Sequence, residues 1–140
     1  MISVLLACNQ AAPNKENEQK VNVVTESPNL KLQIYYFHST NRCPTCNSIE
    51  ENVKKVIESD YKNELDKGII KFTALNIDEI QNKAIAVKYL AYGSAFHLVQ
   101  IDKGNEKDND LTDFAFSYSR NKPEFFIEEI NDTINYFLNH

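Results

Sequence analysis

Cys43-Pro44-Thr45-Cys46 is the stretch of this chain whose residue types and spacing can do chemistry. Two thiols in a C-x-x-C spacing form a redox pair when the first stands at the N-terminus of a helix and the second one turn inside. The helix terminus presents unpaired N–H groups and a partial positive charge, which favour a thiolate at Cys43, and Arg42 adds a neighbouring cation. The expected pKa of Cys43 therefore lies below the free-thiol value of about 8.5. Cys46, inside the helix, gains less. The competing chemistry is half of a structural zinc site, which needs four ligands. No second C-x-x-C is present, so His38 and His97 complete such a site only if the fold brings both to the cysteines. Each is otherwise a hydrogen-bonded structural histidine, and no metal ligand is assigned.

With 140 residues the chain has room for one domain, whose core needs no disulfide framework. Its net charge of -5, with no stretch gathering Lys and Arg, excludes a non-specific nucleic-acid binder. Three cysteines, two of them close together, do not make a stapled secreted mini-protein. The run Val4-Leu5-Leu6-Ala7-Cys8 is similar to a bacterial lipoprotein box, in which the cysteine carries the lipid after cleavage. That reading divides the chain into a leader over 1–8, a polar tether over 9–29 and a domain over 30–140. It places the domain on the periplasmic side of a cell envelope, attached through Cys8. The alternative is a short tail with an incidental cysteine on a cytoplasmic protein. No other apolar stretch approaches the ~20 residues that span a bilayer.

The elements that must position the cysteines follow from periodicity. Residues 21–24 offer a short edge strand, and 30–38 is the first full strand, apolar on both faces as it nears His38. Ser39 to Arg42 form a loop, and Pro44 falls at the first helical position, where its missing N–H costs nothing. Cys46, Ile49, Val53, Val56, Ile57 and Leu65 then recur at helical spacing until Gly68 ends the helix. A buried parallel strand is expected over 69–77. A second helix is expected from Asp78 or Asn82 to Ala91, with Ala84, Ile85, Val87 and Leu90 facing inward. A third strand over 95–101 and a fourth over 111–118 form a hairpin, with the acidic run from Glu106 to Asp110 as its solvated loop. Pro123 starts a last helix whose apolar stripe is Phe126, Ile130, Ile134, Phe137 and Leu138.

A C-x-x-C at the junction of first strand and first helix, in the order βαβαββα, resembles the thioredoxin superfamily, and Cys-Pro-Thr-Cys resembles the glutaredoxin form of its motif. The resemblance covers about residues 30–138. It implies an α/β, thioredoxin-like fold with a mixed central sheet of about four strands flanked by three helices. It also implies a thiol-disulfide oxidoreductase in which Cys43 attacks and Cys46 resolves, with Arg42, Pro44 and Thr45 in support. The implied partners are protein thiols or disulfides and a redox partner, with no cofactor beyond the Cys43–Cys46 disulfide. The chain departs from an ordinary thioredoxin in three places. The loop Gly93-Ser94-Ala95 has no proline, no tryptophan precedes Cys43, and Tyr36, Phe37 and His38 supply no acidic residue. The alternative function is a non-catalytic module that binds a metal or a partner through Cys43 and Cys46.

Overall fold

The computed structural model describes residues 27–140. The expected leader with Cys8, most of the tether and the short strand at 21–24 lie outside the described residues. Strand β1, Leu32–His38, alternates as a strand between two layers must: Leu32, Ile34 and Tyr36 enter one apolar cluster, while Phe37 enters another on the opposite face. Helix α1, Pro44–Asp60, buries Cys46, Ile49, Val53, Val56 and Ile57 on one stripe. Strand β2, Ile70–Asn76, runs parallel to β1. Strands β3, Ala95–Asp102, and β4, Asn105–Asp110, form an antiparallel hairpin on the other side of β1. The sheet order is β2-β1-β3-β4. This mixed four-stranded α/β sheet is consistent with the thioredoxin-like arrangement that the resemblance implies.

The expected three helices in the order βαβαββα are revised to five helices among the described residues. The helix expected to run to Gly68 breaks at Tyr61, which turns its ring into the core and donates its hydroxyl to the Asn131 carbonyl at 3.0 Å. A short α2, Lys62–Asp66, follows. Gly68 ends it with φ +68°, a conformation that a side chain resists, and a Cβ there would press on Ser27.

The second expected helix is also shifted. A 3-10 turn, Ile80–Asn82, leads into α3, Lys83–Lys88, and rotates the inward face onto Ala86. Ile85 packs partly against the sheet, but Ala84, Val87 and Leu90 are exposed rather than inward.

The largest correction concerns β4. Lys103 and Gly104 both adopt positive φ, the geometry of a two-residue hairpin turn, so pairing begins at once with Asp102 opposite Asn105. The polar run from Glu106 to Asp110 is therefore strand rather than loop. The stretch expected as a strand folds instead into α4, Thr112–Tyr118, where the rings of Phe114 and Tyr118 meet at a tilt one turn apart, their centres 5.2 Å from each other. Pro123 opens α5, Pro123–Asn139, which buries Phe126, Ile130, Ile134 and Phe137 as expected. Residues of α1, α4 and α5 pack on the β1 and β3 face that carries Ile34 and Leu98, while Ala86 of α3 packs on the face that carries Phe37 and Val99.

A candidate dithiol site at the head of the first helix

Cys43 is the N-cap of α1, in extended backbone, and Pro44 is its first helical residue. The chain turns here because Pro44 fixes φ while Cys43 supplies the capping acceptor: its Sγ accepts the Cys46 N–H at 3.1 Å. The first helical bond closes below it, from the Asn47 N–H to the Cys43 carbonyl at 3.1 Å. The two cysteines are joined as a disulfide, with Cα atoms 5.0 Å apart. Cys43 is exposed, and Cys46 is 5 % exposed within the larger apolar cluster. One sulfur is thus open to a partner molecule and the other is held beneath it.

The loop that delivers the pair is tied down from β2. Asp78 accepts the Thr40 N–H at 2.7 Å, which holds the Asp78 carboxyl below the usual carboxylate range, and the Asn76 amide donates to the Thr40 hydroxyl at 3.0 Å. Under the first turn of α1, the Tyr36 hydroxyl donates to the Cys46 carbonyl at 2.8 Å. Burial pushes the Tyr36 phenol up, and the hydrogen bonds of Arg42 and Ser94 act the other way. From the loop before β3, the Ser94 Oγ lies 3.7 Å from the Cys46 Sγ. A groove of about 340 Å³ opens beside it, between Tyr92, Asp110, Thr112 and Asp113.

Arg42, expected as a cation for Cys43, is engaged along the flank of α1. Its guanidinium pairs with Glu50, reaches the Cys46 carbonyl at 3.5 Å and lies 5.5 Å from the centre of the Tyr36 ring. Thr45 is half-buried in the first turn. His38 and His97 are not brought to the cysteines as a pair. His38 bonds the Ser39 carbonyl through Nδ1 at 3.0 Å. His97 is buried on the opposite face of the sheet, edge-on to Phe37, with its Nδ1 2.9 Å from Asp108. Among the described residues no three His, Cys, Asp or Glu side chains converge as a metal site.

Sequence reasoning did not single out Tyr36, Glu50 or Ser94 for this site. The one signal for Ser94 was its place in the loop where the resembled family carries a proline. Tyr36 gave the signal of a hydroxyl on the apolar face of a strand, a group that needs a partner once buried.

No family model matches the chain, and no curated protein matches it. Two solved structures are similar to it. A malarial protein shares 16% identity over 71% of this chain and 96% of its own, with a TM-score of 0.43. A thioredoxin from Thermus thermophilus, solved in solution, shares 18% identity over 71% of this chain and 73% of its own, with a TM-score of 0.46.

Proposed function

We propose that this chain is a thiol-disulfide oxidoreductase acting on protein disulfides, with Cys43 as the attacking thiolate and Cys46 as the resolving thiol. The observation that carries this reading is the asymmetry of the pair: a disulfide with one sulfur exposed at a helix N-cap and the other buried one turn below. In the reduced protein the N–H of Cys46 and the positive end of α1 stabilise a Cys43 thiolate. That thiolate attacks one sulfur of a substrate disulfide. The substrate S–S bond breaks, a mixed disulfide forms at Cys43, and the displaced thiolate takes a proton from water. Cys46, deprotonated, then attacks the Cys43 sulfur; the Cys43–Cys46 bond closes and the second substrate thiolate leaves and is protonated. Two electrons pass from dithiol to substrate, and the reverse sequence oxidises a substrate dithiol. Pro44 starts the helix that makes the first sulfur acidic, and Arg42 braces the first turn through the Cys46 carbonyl.

The setting proposed is a bacterial cell envelope, with the domain held on the periplasmic side by a lipid on Cys8. Its support is Leu5-Leu6-Ala7-Cys8 followed by a polar stretch.

The test is a glutathione redox titration of the full chain, with thiols counted by alkylation and mass and bound metal assayed on the reduced sample. A reversible two-electron transition at Cys43 and Cys46 is expected, and Cys46→Ser should trap a mixed disulfide at Cys43. A stoichiometric metal that blocks alkylation, or a pair that never closes, would favour the binding module instead.

A further inference from the structure

Resolution demands that Cys46 lose its proton in surroundings that oppose a charge. It is 5 % exposed and packs among apolar side chains, and burial of that kind raises a thiol pKa. The carboxylate one turn along α1, Glu50, faces away from this task, paired with Arg42 and Lys54. The polar group that meets the sulfur is the half-buried hydroxyl of Ser94, at 3.7 Å. In the disulfide neither sulfur carries a proton, so in this contact the hydroxyl donates. The backbone of Cys46 is fixed from beneath by the Tyr36 hydroxyl at 2.8 Å.

We infer that Ser94 is a catalytic residue of the resolving step, its hydroxyl donating to the Cys46 sulfur as that sulfur becomes a thiolate. The inference rests on the oxidoreductase reading. A hydroxyl suits both states of the sulfur, since it accepts from the S–H of the thiol and donates to the thiolate. The second bond is charge-assisted and the stronger, so the ionised form gains. In the step itself the Cys46 proton passes to water, the Cys46–Cys43 bond forms, the bond from Cys43 to substrate breaks, and the departing sulfur takes a proton from water. The other charged or titratable groups around the pair do not supply this help. Arg42 is matched by Glu50, His38 is occupied by the Ser39 carbonyl, and Asp110 and Asp113 across the groove oppose a thiolate. His97 lines the same groove, but its Nδ1 is taken by Asp108 at 2.9 Å and its ring packs edge-on to Phe37.

The test uses the full chain carrying Cys8→Ser and Cys43→Ser, so that Cys46 is its one thiol, titrated by ultraviolet thiolate absorbance. Adding Ser94→Ala should raise the Cys46 pKa by about one unit, and Ser94→Thr, which keeps the hydroxyl, should restore it. In the chain with both active cysteines, Ser94→Ala should lengthen the life of the mixed disulfide about threefold. The thiolate fraction falls about tenfold, while the more basic sulfur recovers part of the rate. Attack by Cys43 should keep its rate. If the alanine variant titrates with its parent, if threonine is displaced as far as alanine, or if attack by Cys43 slows equally, the inference falls. A parent chain that never exchanges with glutathione overturns the oxidoreductase reading, whereas one that exchanges while Ser94→Ala titrates like its parent overturns the role of Ser94 alone.

Discussion

Burial alone would raise the Glu50 carboxyl, yet the hydrogen bonds and charges of Lys54 and Arg42 outweigh it and hold the group below the usual carboxylate range. A carboxylate whose folded pKa is depressed contributes stability that is present above its unfolded pKa and lost as pH falls through the folded value. Glu50 therefore stabilises the head of α1 at neutral pH and ceases to do so in acid. Arg42→Gln should lower the free energy of unfolding in urea by about 1 kcal/mol at neutral pH, in line with loss of one hydrogen-bonded charge pair. In acid, once pH has fallen through the depressed folded value and Glu50 is protonated, the same substitution should cost less than it does at neutral pH. An equal cost at both pH values would show that Arg42 acts by packing on Tyr36 instead. At this scale the placement of the two cysteines and Pro44 was legible, because it follows from the cap and first turn of one helix. Tyr36 and Ser94 were not, since their contacts with Cys46 span 10 and 48 positions of sequence and exist only once the sheet has formed.

Among the elements, β4 shows how a strand forms without an apolar pattern. Its six residues, Asn105–Asp110, are all polar, and it is held by the β3 ladder, by the Asn109 amide on the Leu98 carbonyl and by Asp108 on His97. Asp108→Ala should cost about 1–3 kcal/mol, because it leaves the buried ring of His97 without its carboxylate. Amide exchange should speed up in β4 before it does in β1, and unchanged protection across β4 would refute the role given to that pair. Helices α1 and α5 were legible from their apolar stripes, which continue for several turns. The change from loop and strand to strand and helix over 105–118 has a physical cause. Phe114, Phe116 and Tyr118 fit a period of two, but Leu111, Ala115 and Tyr118 fit a helix equally well, and the tight turn at Lys103 and Gly104 decided between them. α3 was misjudged in phase because the 3-10 turn before it has three residues per turn rather than 3.6.

For the whole molecule, the sheet divides the interior unequally. The cluster under α1, α4 and α5 is built from buried side chains of six elements, including Phe96, Phe126 and Ile130. The other depends on Phe37, Val99 and a few small residues around Tyr89, beneath a helix of six residues. Regions with few buried apolar contacts open at a smaller free energy than the global one. Hydrogen exchange should accordingly report α3 as opening before α1 and α5; simultaneous exchange of all three would contradict this division. Seen as a problem of breathing rather than of packing, the arrangement gives the two halves of the site different lifetimes. The cysteines ride on the slow unit, whereas the Ser94 hydroxyl stands in the loop that joins α3 to β3, directly before Ala95. An excursion of α3 thus reaches the site through that loop alone, whose other end is fixed in the sheet by β3.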